Sequence, residues 1–185
     1  LQGRHMEVLI AAVGKGTRLL AGLAPGEPVD VLGPLGTSFP TPSDVKRDDV
    51  ILVGGGVGIA PLRYWLQTYP GARPRATLIH GARTADDLYT LPEPPAVVLH
   101  MTDDGSRGNK GTVLVGLETL ALRWGDERFA RATLLTCGPE RMMAAVIEAT
   151  RGRVARIYAS LEAHMACGMG ACLGCVVPDG RGGYL

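Results

Sequence analysis

Five short runs rich in apolar and β-branched residues recur along the middle of the chain: Val50 to Val53, Ala76 to His80, Ala96 to Met101, Ala132 to Thr136 and Val154 to Ala159. Between them the apolar residues return at helical rather than alternating spacing. Strand and helix in repetition give a parallel sheet, because a parallel neighbour is reached only through a crossover that lays a helix on the sheet face. The stretch Pro40-Thr41-Pro42-Ser43-Asp44 ahead of this region reads as a linker. Further upstream, Glu7 to Val13 and Pro28 to Leu32 read as strands separated by turns bearing Gly and Pro, as at the end of a small β-barrel. The expected fold class is α/β plus β. It comprises the remnant of a barrel over residues 1–42, a parallel-sheet domain over 43–157 and a small C-terminal segment over 158–185.

That last segment carries Cys167, Cys172 and Cys175 in the run Met165-Ala166-Cys167-Gly168-Met169-Gly170-Ala171-Cys172-Leu173-Gly174-Cys175. The spacing of four residues, then two, matches the first three ligands of a plant-type [2Fe-2S] site. Interleaved small residues let backbone N–H groups approach the sulfurs, which tunes such a cluster. Structural zinc sites usually pair two-residue knuckles on both sides, which the wider first spacing fits poorly. Disulfides belong to short, cysteine-dense chains in oxidising compartments, whereas this chain has 4 cysteines in 185 residues and no apolar signal segment. Inert buried thiols would need an apolar surround that these glycines do not supply. The iron-sulfur reading leads. Its fourth ligand is expected beyond Leu185, since the remaining cysteine, Cys137, sits in a different motif, and the chain reads as truncated at both ends.

The formal net charge is +1 with charges interspersed, so there is no electrostatic footprint for nucleic acid or an anionic membrane. No apolar run reaches the roughly 18 residues of a membrane span.

The first run of the α/β region continues into Gly54-Gly55-Gly56-Val57-Gly58-Ile59-Ala60-Pro61-Leu62. A strand entering a glycine loop and then a helix brings backbone N–H groups and a helix N-terminus to bear on a phosphate, as a dinucleotide requires. The same run also serves as a plain strand-to-helix turn, and the strict G-x-G-x-x-G with a later acidic residue is not met. After the next strand, Arg83 either faces a ribose 2′-phosphate or pairs with Asp86 or Asp87. A second strand end, Thr136-Cys137-Gly138-Pro139-Glu140, opens a helix whose Met142, Met143, Val146 and Ile147 fall at core-facing positions. Cys137 is then either at the ligand-binding edge of the sheet or a structural buried thiol.

The glycine loop followed by Cys137-Gly138-Pro139 resembles the pyridine-nucleotide domain of the ferredoxin-NADP reductase superfamily. Val13-Gly14-Lys15-Gly16-Thr17 with Gly33-Pro34-Leu35-Gly36 resembles its flavin-binding barrel. The tail from Ser160 to Cys175 resembles, more narrowly, the electron transfer subunits of class 1B dihydroorotate dehydrogenases. This resemblance implies a cytoplasmic carrier of FAD and one [2Fe-2S] cluster. It would pass electrons between NAD(H) and an FMN-bearing subunit that oxidises dihydroorotate for pyrimidine synthesis, in a heterotetramer. It also implies that Gly16 and Thr17 contact the FAD pyrophosphate, with Leu9, Ile10 and Ala11 lining the flavin. Gly54, Gly55, Gly56, Val57 and Gly58 would bind NAD with Gly138 and Pro139, and Cys137 would lie near the site of hydride transfer. Cys167, Cys172 and Cys175 would hold the cluster. Nicotinamide gives up a hydride and a [2Fe-2S] centre takes one electron at a time, so a flavin belongs between them and no catalytic acid or base is required of His80, His100 or His164. Competing readings are a related flavin and iron-sulfur reductase subunit of the sulfhydrogenase or transhydrogenase type, and a zinc-stabilised binding module.

Overall fold

The computed structural model describes residues 5–45 and 49–183; Leu1 and Tyr184-Leu185, which the sequence reading takes as cut ends, lie outside them. The chain divides into two compact units, one formed by Phe39–Ser160 with the segment up to Ala11, the other by Ala12–Ser38 with the segment from Leu161 on.

The first unit is built on a six-stranded, all-parallel sheet: β1 (Val50–Gly55), β2 (Ala76–Ala82), β3 (Val97–Thr102), β4 (Asn109–Lys110), β5 (Thr133–Cys137) and β6 (Arg156–Ser160), in the spatial order β4-β3-β2-β1-β5-β6. Every residue of β1 is buried, as a central parallel strand with helices on both faces demands, and this is why its sequence is a continuous apolar run without alternation. Helix α2 (Ile59–Thr68) buries Ile59, Leu62, Trp65 and Leu66, one stripe at helical spacing, in a core that includes Leu52, Leu78 and Leu135. The opposite core joins Ile51, Val53, Ile79 and Leu134 to α3 (Val113–Trp124) and α5 (Glu140–Thr150), with Phe129 of α4 (Asp126–Arg131). Alternate β1 residues thus feed alternate cores.

Leu52 is fully buried, so Leu52→Ala removes apolar area and leaves a cavity; unfolding in urea should show a loss of about 2–5 kcal/mol. Leu122→Ala, on a side chain 85% exposed, should stay within about 0.5 kcal/mol of the parent.

The linker reading of residues 40–44 is revised. Trp65 donates its indole N–H to the Pro40 carbonyl at 2.7 Å, the Thr41 N–H reaches the Asp44 carboxylate at 2.8 Å, and Val45 is buried, so this stretch is fixed to the sheet domain. The two upstream strand readings also fail. Glu7 to Val13 and Pro28 to Leu32 are irregular, and among the described residues neither joins a ladder. A strand exists only where its backbone groups meet a neighbour; without one, Val8, Val13, Val31 and Leu32 remain 59%, 78%, 60% and 62% exposed. Among its described residues the second unit contains one short helix, α1 (Lys15–Ala21), which the sequence reading does not anticipate. Among the described residues no helix is long and apolar enough to cross a membrane.

Candidate functional site

The strand order places a topological switch point between β1 and β5. From β1 the chain builds outward through β2, β3 and β4, then returns to the other side of β1 to lay down β5 and β6. Connections leave the carboxyl ends of β1 and β5 in opposite senses, which opens the crevice where parallel α/β sheets take ligands. Gly54 and Cys137 sit side by side at that edge. Beyond them Gly56–Gly58 forms a single 3₁₀ turn that runs into α2, and Pro61 falls in the first turn of α2, where no intrahelical donor is needed.

The two loops touch backbone to backbone. A Cβ on Gly58 would collide with the Cys137 carbonyl and stand 2.6 Å from the Gly138 Cα. One on Gly138 would stand 3.0 Å from the Gly55 nitrogen, and one on Gly55 would stand 2.9 Å from the Pro139 ring. The residues singled out from the sequence, Gly54 to Gly58 and Cys137 to Pro139, are therefore brought to one place. Cys137 is buried and Val57 is 43% exposed, so the loop crest is open while its base is closed.

Flanking this crevice, Arg83 follows β2; its side chain is 86% exposed and its Nε lies 3.9 Å from Asp87, within reach of a surface ion pair. His80, opposite Gly54 in β2, is fully buried, and its Nε2 lies 3.3 Å from the Gly56 carbonyl. Burial pushes its pKa down to about 4 against the opposing pull of that carbonyl, with His100 on β3 adding to the depression, so the ring is neutral at physiological pH.

The candidate flavin residues divide between the units. Leu9, Ile10 and Ala11 are half-buried in the first, where Leu9 packs on the α2 core. Gly16 and Thr17 begin α1 in the second, where the Thr17 hydroxyl accepts from the Gly14 N–H at 3.0 Å and donates to the Gly14 carbonyl at 3.2 Å. Beside them Val13, Gly14, Lys15, Arg18 and Leu19 line an open concavity of about 360 Å³ bearing two cations.

In the tail, none of the cysteines forms a disulfide. The Cys172 N–H donates to the Cys167 sulfur at 3.5 Å, and it leads the set of donors, with the Met169 N–H next, that lowers the Cys167 pKa to about 6. A thiol so placed is largely thiolate at neutral pH, the form that binds metal. Between Cys172 and Cys175, Leu173 holds φ at 53°, the single non-glycine residue with positive φ among those described. Such strain persists where surroundings enforce it and gathers at functional loops. Soft thiolates with backbone donors aimed at sulfur suit an iron-sulfur centre. Among the described residues no three Cys, His, Asp or Glu side chains are already gathered at metal-binding distance.

Residues 52–148 match the oxidoreductase NAD-binding domain family, and residues 162–184 match the iron-sulfur cluster binding domain of dihydroorotate dehydrogenase B. The electron transfer subunit of dihydroorotate dehydrogenase B (NAD(+)) from Clostridium perfringens is 34% identical over 95% of this chain and 68% of its own length. The chain belongs to this family of electron transfer subunits. The counterpart from Bacillus caldolyticus is 37% identical over 92% of this chain, which spans 65% of that relative's length. Among solved structures, the NADH-dependent reduced ferredoxin-NADP oxidoreductase superimposes with a TM-score of 0.73 at 33% identity, covering 89% of this chain and 58% of that one. The fold is thus ferredoxin-NADP reductase-like, with the parallel sheet as its nucleotide-type half.

Three features of this family member escape sequence reasoning: the His80 contact with Gly56, the strained Leu173 and the cation Arg18 at the concavity. A lone histidine inside the apolar run Leu78-Ile79-His80 is the one visible signal among them.

Proposed function

We propose that this chain carries electrons between NAD(H) and an FMN-bearing, dihydroorotate-oxidising partner, through FAD and one [2Fe-2S] cluster, as part of pyrimidine synthesis in the cytoplasm. The observation that carries the reading is the conjunction on one chain of a glycine-lined crevice at the sheet switch point and a strained three-cysteine loop with a backbone donor aimed at sulfur. In domain terms, residues 1–42 contribute to an FAD-binding barrel, 43–157 bind NAD and 158–185 bind the cluster.

When bound, nicotinamide would supply two-electron hydride chemistry, an iron-sulfur cluster one-electron chemistry, and flavin both. The chain's residues bind and orient. Gly54 to Gly58, Gly138 and Pro139 would hold the dinucleotide, with the N-terminus of α2 offering backbone N–H groups to its phosphates. Buried Cys137 would lie near the site of hydride transfer. Gly16 and Thr17, with Lys15 and Arg18 adding positive charge, take the FAD pyrophosphate, and Leu9, Ile10 and Ala11 line the flavin. Cys167, Cys172 and Cys175 hold the cluster, completed by a further ligand. The partner is an FMN subunit in a heterotetramer.

The test is spectroscopic and then functional. The full-length protein should show flavin and iron-sulfur absorption that NADH bleaches, and mixing with a dihydroorotate-oxidising FMN subunit should couple NAD+ reduction to orotate formation. A colourless, zinc-loaded protein refutes the reading. Bleaching without coupling assigns the chain to a different reductase of sulfhydrogenase or transhydrogenase type.

A further inference from the structure

His80 is a polar group where the fold has no structural need of one. It lies on a central strand between β1 and β3, in one row across the sheet with Cys137, Gly54 and His100, and it is fully buried. An apolar residue there would avoid the desolvation that an imidazole suffers. Among the described residues the single polar contact of its ring is Nε2 with the Gly56 carbonyl at 3.3 Å, while Nδ1 is buried without a partner. A carbonyl only accepts, so Nε2 bears the hydrogen and Nδ1 the lone pair.

Gly56 is the first residue of the loop and has φ of 51°, with open space where a Cβ would be. Its carbonyl also accepts from the Ile59 N–H at the start of α2, a donor it shares with the Val57 carbonyl, so His80 is the one donor given to the Gly56 carbonyl alone and limits rotation of the peptide plane between Gly56 and Val57. In a trans peptide the N–H points opposite to the C=O. Anchoring the Gly56 carbonyl inward on His80 therefore turns the Val57 N–H outward, on the side where Val57 itself is exposed.

We propose that His80 is a positioning residue for the dinucleotide: by holding the Gly56 carbonyl it locks the loop so that the Val57 N–H points at the phosphates. The inference rests on the nucleotide-binding reading above. It concerns no proton transfer, and the neutral ring acts only as a buried donor.

Two substitutions of similar bulk separate donor from filler. His80→Leu fills the space without a donor, whereas His80→Gln can return an N–H to Gly56. Calorimetric titration of the flavin- and cluster-loaded, full-length protein with NAD+ should show His80→Leu binding about five- to tenfold more weakly, the worth of one such hydrogen bond. His80→Gln should recover most of that loss. Equal binding by His80→Leu and the parent, or no recovery in His80→Gln, overturns the proposal. Should His80→Leu fail to fold, nitrogen-15 chemical shifts of the unsubstituted protein decide: a protonated Nε2 and bare Nδ1 support it, and the reverse tautomer overturns it. An unsubstituted protein that binds no NAD+ overturns the nucleotide reading and this inference together. Normal binding there with indifferent variants overturns this inference alone.

Discussion

Cys172→Ser should abolish the iron-sulfur spectrum and cut electron delivery to a one-electron acceptor by more than about 100-fold, while NADH still bleaches the flavin. Replacing a ligand removes more than the 10- to 100-fold that attends loss of a mere supporting group around a metal. Cys172 is the apt choice for two reasons. Its sulfur is a predicted ligand, and its N–H donates to the sulfur of Cys167, so its position organises a second ligand as well. Serine keeps that backbone donor and the volume, and a hydroxyl is a poor iron ligand beside a thiolate. The loss is therefore chemical rather than structural. Electron paramagnetic resonance of the reduced protein reads it directly, and a signal of unchanged intensity would exclude Cys172 from the cluster. Thermal unfolding of the sheet domain should move little, because residues 161 onward belong to the other compact unit.

The second large effect is expected at Gly58. Its missing side chain is what lets the loop after β1 lie on the loop after β5, since a Cβ would collide with the Cys137 carbonyl and approach the Gly138 Cα to 2.6 Å. Those neighbours are backbone, which cannot rotate aside as a flexible side chain would. Gly58→Ala must push the two strand ends apart at the very point where the dinucleotide is proposed to bind. Displacements of about 1 Å in a positioned site lower rates by roughly 10²-fold, and overpacking a close contact costs about 1–3 kcal/mol of stability. NADH-dependent flavin reduction in the stopped flow should slow by about that factor. Gly71→Ala is the control: Gly71 is exposed, its φ is ordinary and no atom lies within 4 Å of its Cβ position. It should leave both rate and stability near the parent. Equal behaviour of the two variants would show that the glycine contact is incidental to binding.

Much of the sheet domain was legible beforehand, and the reason is physical. Val50 to Val53 is apolar throughout because both of its faces are covered, and a run of that kind bounded by glycines has few other homes. The five runs named from the sequence are five of the six strands. The sixth, Asn109–Lys110, is two exposed residues at the sheet edge and has no apolar pattern to betray it. Val8 and Val29 misled in the opposite direction. Local β-propensity describes a residue's taste for a pleated surface, not whether a neighbouring strand is present to accept its hydrogen bonds. At the site, glycine runs and cysteine spacings are local and so visible, whereas the His80 contact depends on the register that sets β2 beside β1. The positive φ of Leu173 is likewise enforced by the folded loop and leaves no mark in residue type.

The switch between β1 and β5 has a consequence for how the chain comes together. The hydroxyl of Thr136 bonds the carbonyl of Val53 across 83 residues of sequence, so on a ribosome the glycine loop emerges long before the strand that completes its crevice. During that interval one edge of an entirely apolar strand waits uncovered, the kind of transient surface that invites aggregation. Closing so long a loop is slow. The crevice is therefore among the late products of folding, and a nascent chain that has yet to deliver Cys137 lacks the crevice proposed to hold a dinucleotide.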